Sequence, residues 1–436
     1  MKKLASFLLV FCITLSSFCF TASASYKTKG FKVKSEAAAL VSLDTDDILF
    51  EKNIDQKRYP ASITKIMTAV ILLDNCTNLD DEATVTKNNI ESLFGSDLTT
   101  GGLLPDEVVS LRTCVNLLMV CSAADAANVI VDYVEKQTGK DFVTLMNQKA
   151  KNLKMNNTHF VNATGLHDEN HYTTIRDLIK LCKYAIKLPN FLDICSQPIY
   201  YAPESNKHKK RMVVTTNFLI NPATTMYYSY VKGIKTGFTT PAGRCVASTA
   251  SKDGYNYMCI VMGGDNATRT EFSDSKNLYK WAFENFESRI VADTEEIIDE
   301  MKVELSGDTD FIQLYPQKNV TVIIPKEIDN ESLIYDVVLK DNVVQAPVEK
   351  GQILGYVSIK CAGSEIAKVN LVNKEKINRS TWLFITKIFK DFLALPFFLV
   401  LLAAFVIIVI LLIVFGNVKR SRRRKKLKRV RKIKKM

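Results

Sequence analysis

Residues 59–70 read YPASITKIMTAV and set a hydroxyl and an amine three positions apart at the entrance to an apolar stretch. At that spacing Ser62 and Lys65 share one face of a helix about one turn apart, so the amine can take the hydroxyl proton. The continuation IMTAVILL predicts a helix that is apolar around most of its circumference and therefore buried. Burial matters because an amine serves as a base near neutral pH only when desolvation or a neighbouring cation depresses its pKa. The competing reading is a first helical turn with one snorkelling lysine. Spacing alone cannot separate the two, since S-x-x-K arises by residue frequency about once or twice in a chain of this length. A second copy does occur, Ser273-Asp274-Ser275-Lys276, in a polar stretch that reads as an exposed helix start.

A rarer triplet supplies context. Lys235-Thr236-Gly237, within YVKGIKTGFTTPAGRCVAS, is expected by chance in roughly one such chain in ten. With a buried strand following, it places a cation and a hydroxyl along a sheet edge, where Lys235 and Thr236 suit a terminal carboxylate. Gly237 there would let a ligand backbone approach closely.

Around these motifs the pattern is α+β. AAALVSLDTDDILFEKN reads as two strands about a turn at Asp44 to Asp47, and LRTCVNLLMVCSAADAANVIVDYVEKQTG as two helices interrupted near Cys121 to Ala123. TTIRDLIKLCKYAIKL is an amphipathic helix capped by Thr173 or Thr174. GRCVASTASKDGYNYMCIVMGG is a hairpin about Lys252-Asp253-Gly254, and SDSKNLYKWAFENF a closing helix. Strands at both ends with helices between imply a sheet completed late in the chain. From about Val291 to Val372 short alternating strands predict a small all-β domain, including VTVIIPK and GYVSIKCAG.

The two ends carry membrane signals. Residues 1–24 have two lysines, a short apolar run and the small-x-small site Ala22-Ser23-Ala24, which read as a signal peptide. Phe392 to Phe415 holds no charge and is long enough to span a bilayer, and WLFITKIFKDF before it suits the interface. Lys419 to Lys435 contribute 13 basic residues and no acidic one, which places the tail in the cytoplasm and the rest outside. Without those charges and Lys2 and Lys3, the chain has 43 basic against 46 acidic residues, so the net charge of +12 is topogenic. It points to anionic lipid and gives no reason to propose nucleic acid. The predicted divisions are 1–24, 25–288, 289–375, a juxtamembrane 376–391, a span 392–416 and a tail 417–436. Outside the leader, eight cysteines lie mostly in apolar stretches and read as small hydrophobes rather than disulfide partners. Nothing has metal-ligand spacing, so neither metal nor cofactor is expected.

Ser62-x-x-Lys65, a serine motif at Ser122 and Lys235-Thr236-Gly237, in that order, resemble the penicillin-recognising serine hydrolases. More closely, YPASITKIMTA, FVNATGLHDENHYTTIRDL, GIKTGFTTPAGRCVAST and APVEKGQILGYVSI resemble the low-molecular-mass D-alanyl-D-alanine carboxypeptidases. The resemblance implies a β-lactamase/transpeptidase-like domain, a mainly antiparallel sheet with helices on both faces, followed by the small β-domain and the transmembrane helix. It implies that Ser62 attacks the carbonyl between the terminal D-alanines of a peptidoglycan stem peptide, with Lys65 as base and Ser122 as proton shuttle. It further implies that Lys235, Thr236 and Gly237, with Arg269 beside them, bind the substrate's end, and that β-lactams acylate Ser62.

The family pattern Ser-x-Asn is broken here, because Ser122-Ala123-Ala124 puts an alanine where an amide would orient the substrate. Asn128 is too far along the helix to replace it. Hence the alternatives are a catalytically weak penicillin-binding wall protein, or a D,D-endopeptidase or β-lactamase. His167 reads as a loop hydrogen-bonder, and His159, His171 and His208 have no acidic or hydroxyl partner at a meaningful spacing.

Overall fold

A computed structural model describes residues 31–361 and 363–433, and side chains up to Lys425. The 1–24 leader expectation and part of the basic tail lie outside the described residues.

Contacts divide the chain into two units, the first formed by residues up to 290 with 321–333 and 361–366. Its centre is a five-stranded antiparallel sheet built from β1 (Ala37–Ser42), β2 (Ile48–Lys52), β3 (Val231–Thr239), β4 (Gly243–Lys252) and β5 (Tyr255–Gly264), in the order β2-β1-β5-β4-β3. The first two strands are sequence-distant from the last three, so the sheet is indeed completed late. Period-two alternation decides what each face carries. Ala37, Ala39, Val41, Ala247, Met258 and Ile260 join one hydrophobic cluster, while Ala38, Leu40, Val246, Tyr257, Cys259 and Val261 join the other. Because both sets are apolar, both faces must be covered, each buried Leu or Ile contributing about 1.5–3 kcal/mol.

The first cluster is covered by α1 (Lys65–Asn75), α2 (Leu111–Val120), α3 (Ala124–Thr138) and α4 (Ile175–Ala185). On the second lies α5 (Thr270–Asn285), through Phe272, Leu278, Tyr279 and Ala282. Thr174 caps α4 by accepting from the Asp177 N–H. The break between α2 and α3 falls at Cys121–Ala123. Strand β3 occupies the sheet edge, with Lys235, Thr236 and Gly237 in its second half. The segment Val320–Pro325, read from sequence as a strand of the β-domain, pairs with Phe286–Ala292 and buries Ile323 in the second cluster. Alternation marks a strand but does not name its neighbour.

The second unit carries a six-stranded sheet, including Asp299–Glu304, Phe311–Pro316, Ile353–Cys361 and Ser364–Val372. Helices follow at Thr381–Leu393 and Pro396–Ile433, and Pro396–Lys425 is long and apolar enough to cross a membrane. The eight described cysteines are free, six of them buried as apolar filler.

Candidate active site

Ser62 sits in a short 3-10 turn, Ala61–Thr64, that runs directly into α1, so Lys65 is the first residue of the helix. Lys65 is fully buried, and its Nζ donates to Ser62 Oγ at 3.0 Å and to the Thr164 carbonyl at 2.5 Å. Burial first, and then the Lys235 cation, hold the Lys65 ammonium well below its ordinary pKa, against the pull of Asp125. Burial and the Lys235 cation therefore favour a neutral amine that can accept a proton from the serine.

The edge strand lies against the serine turn. A Cβ placed on Gly237 would stand 2.9 Å from Ser62 N and 3.0 Å from Ile63 N. Glycine is thus required for strand and turn to meet, a different reason from ligand approach, which was the expectation. Lys235 is buried, and desolvation lowers its pKa to about 7 while its Nζ donates to the Thr236 carbonyl. Thr236 Oγ1 is 2.5 Å from Thr216 Oγ1, and the Thr216 N–H donates to the Val120 carbonyl, which ties this edge to the end of α2.

Ser122 follows α2 in a left-handed conformation, φ 66°, and is nearly buried. Asp125 accepts from the N–H groups of Gly101 and Leu103 and so pins the loop that presents Asp97 to Thr99. Ser62, Ser122, Thr236, Gly237 and Arg269 all line one cavity of about 410 Å³. Lys65 and Lys235 are buried, each adjoining one of these lining residues. Ala124 is fully buried at the start of α3, its N–H donating to the Thr99 carbonyl. Asn128 is engaged elsewhere, donating to the Asn89 carbonyl and Ser92 Oγ.

Sequence reading missed Thr164, Thr99, Thr216, Phe218, Arg244 and Glu271. All reach the site from separate segments, and no local pattern marks them. It also misjudged two histidines. His171 is buried with its pKa lowered to about 4, accepts from the Val161 N–H at Nδ1, and so donates through Nε2 to Thr64 Oγ1 at 2.7 Å. It supports the serine turn as a neutral group. His208 Nδ1 lies 3.2 Å from Glu107 Oε2. The second S-x-x-K is a helix start, as expected, but it is not exposed: Asp274 and Ser275 are buried.

Comparison with known proteins gives a consistent picture. A family model described as D-alanyl-D-alanine carboxypeptidase matches residues 21–266, and one described as penicillin-binding protein 5, C-terminal domain, matches 286–379. The D-alanyl-D-alanine carboxypeptidase DacF of Bacillus subtilis is 28% identical over 385 residues, covering 87% of this chain and 96% of that protein. DacA of Haemophilus influenzae is 28% identical over 352 residues, covering 78% of this chain and 84% of that one. The crystal structure of penicillin binding protein 5 from Haemophilus influenzae aligns with a TM-score of 0.65 at 26% identity, covering 80% of this chain and 99% of that one.

Proposed function

The chain belongs to the D-alanyl-D-alanine carboxypeptidase family, and from that premise we propose how this serine D,D-carboxypeptidase works and where it is held. Ser62 Oγ attacks the carbonyl between the two terminal D-alanines of a peptidoglycan stem peptide. Lys65, neutral because it is buried, takes the hydroxyl proton. The tetrahedral oxyanion is met by backbone N–H groups of Ser62 and of β3 near Phe238 or Thr239. Ser122 relays the proton to the leaving amine, D-Ala departs, and water then cleaves the acyl ester on Ser62. Lys235, Thr236 and Arg269 hold the terminal carboxylate, which raises the Lys235 pKa from its value in the empty site and keeps it cationic.

The observation that carries this reading is the contact between a wholly buried Lys65 and Ser62 Oγ at 3.0 Å, beside the K-T-G edge strand. β-Lactams present a strained amide and a carboxylate to the same groups, so they acylate Ser62. A weak penicillin-binding role is not favoured, since Ser62, Lys65, Ser122 and Lys235 are all in place. The apolar helix at Pro396–Lys425 fits a membrane anchor. We place the catalytic unit on the outer side, with the basic tail inside against anionic lipid.

The test is D-Ala release from a peptide ending in D-Ala-D-Ala, together with labelling by a reporter penicillin, using the full chain in detergent. Both reactions are expected, and both are lost in Ser62→Ala. Labelling without D-Ala release would overturn the carboxypeptidase assignment.

A further inference from the structure

One end of the active-site cavity holds three charged groups, and the proposed chemistry gives a role only to Arg269. Arg244 begins β4 directly opposite Phe238, with its guanidinium 4.7 Å from that ring and Nε donating to the Asn266 carbonyl. Arg269, in a left-handed conformation before α5, lies 4.3 Å over the Phe218 ring. Both line the cavity that contains Ser62 and Thr236, and neither forms a salt bridge among the described residues. Glu271, from the first turn of α5, lines it too, only 2% exposed, with Oε2 buried and without a hydrogen-bond partner among the described residues.

The framework fixes this placement. Arg244 pairs with Gly264, and a Cβ on Gly264 would lie 3.0 Å from Glu271 N and 3.1 Å from the Arg244 carbonyl. The Thr270 hydroxyl accepts from the Asp265 N–H and meets Ser35 Oγ, fixing the start of the helix. Two guanidiniums seated on aromatic faces and one carboxyl with an unpartnered oxygen thus converge at the end of the site where a substrate terminus is to be held. A buried carboxyl oxygen with no partner is costly unless a ligand supplies one.

We propose that Arg244 and Glu271 are specificity-determining residues for the reaction proposed above, Arg244 as a further cation on the substrate's terminal carboxylate, beside Lys235 and Arg269, and Glu271 as a hydrogen-bond donor to it. The inference rests on the carboxypeptidase reading. Burial raises the Glu271 pKa to about 7, the arginines opposing the shift, so at neutrality about half of the carboxyls carry the proton and can donate it in a hydrogen bond. Once ionised it repels the incoming carboxylate. The groups facing it are Arg244 and Cys245 on β4, Arg269 just before its own helix and Asp274 on it, and the Glu36–Arg58 pair beyond Cys245.

The test is steady-state kinetics of the full chain in detergent, on a D-Ala-D-Ala peptide and on its C-terminal amide. Arg244→Gln is expected to raise KM about tenfold on the acid with kcat within about twofold. Arg244→Lys, which keeps the charge without the fork, falls between. On the amide these variants and the wild type are equal. Glu271→Gln keeps a donor but cannot ionise, so its KM rises less steeply above pH 7 than that of the wild type. The Lys235 limb is common to both proteins, and the readout is their difference. A KM for Arg244→Gln equal to wild type overturns the assignment of Arg244, and an unchanged pH profile in Glu271→Gln overturns that of Glu271. If the wild type releases no D-Ala, the carboxypeptidase reading fails by itself. Penicillin acylation, whose substrate also carries a carboxylate, then gives the same comparison of variants.

Discussion

Two segments of this chain carry the same four-residue pattern and differ in everything that makes it reactive. At Ser62-x-x-Lys65 the lysine is wholly buried, its amine meets the serine hydroxyl, and an edge strand bearing a second lysine closes the site. At Ser273-x-x-Lys276 the serine hydroxyl donates back to the Thr270 carbonyl, and the Lys276 amine reaches the carbonyls of Thr225 and Tyr227. The i, i+3 spacing puts both pairs on a shared helix face. Only the first pair has no competing local acceptor within the serine's own turn, and only there does packing strip the amine of water. A nucleophile is made by desolvation and position, and the spacing merely permits it.

The comparison is broken most directly by exchanging serines. Ser62→Ala is expected to abolish D-Ala release and penicillin labelling, a loss of at least about 10⁴-fold, while Ser273→Ala stays within about twofold. Comparable losses at both sites would show that the buried pair is not special.

Next come the lysines and their pH response. Lys65→Ala should cost roughly 10³-fold or more in acylation rate, against almost nothing for Lys276→Ala. In the wild type, losing the Lys65 proton creates the base, so the acylation rate rises with pH through the depressed Lys65 pKa. Losing the Lys235 proton, near about 7 in the empty site, removes the carboxylate's cation, so kcat/KM falls above it. A flat profile between pH 5 and 9, measured by stopped-flow acylation, contradicts both signs.

Gly237→Ala probes the strand's approach to the serine turn. Its new Cβ would press on Ser62 N, so a loss of about 10²-fold in kcat is expected, with destabilisation of roughly 1–3 kcal/mol seen by thermal unfolding. Unchanged activity would mean the strand can slide away without consequence.

A smaller effect concerns what the site costs the fold. The folded Lys235 pKa lies below that of the unfolded chain, so between about 7 and 10.5 the unfolded state binds more protons and stability rises with pH. Lys235→Met should raise the melting temperature at pH 6 by about 5 °C, and the gain should shrink as pH approaches 10. Ala124→Asn is expected to give the smallest change, at most about a tenfold rise in kcat/KM, read from D-Ala release. No rise would mean that the Thr99 segment bonded to Ala124 already does the work of the missing amide.

Much of the fold was legible because its signals are local. Apolar runs in AAALVS and CVASTAS beside turn residues marked buried strands, the apolar circumference of ITKIMTAVILL marked a buried helix, and the break at Cys121–Ala123 fell where expected. The departures are long-range. Val320–Pro325 was recognised as a strand but not by its partner, Phe286–Ala292. His171 had no visible partner because Thr64 lies 107 positions away. Arg244 and Glu271 carry no role in the sequence reading, because only the meeting of β4 with the start of α5 brings them to the cavity.

By itself, then, the sequence determined which groups could do the chemistry, because residue identity and helical or strand period are properties of short segments. It established the order of the motifs, the apolar character of both sheet faces and the length of the C-terminal span. Tertiary structure decided the rest: that Gly237 abuts Ser62, that Lys65 and Lys235 are dry enough for their pKa values to fall, and that Thr164, from a loop 99 positions on, takes the other side of the catalytic amine. Desolvation and electrostatic coupling depend on separation in space, and that separation exists only once distant segments have packed.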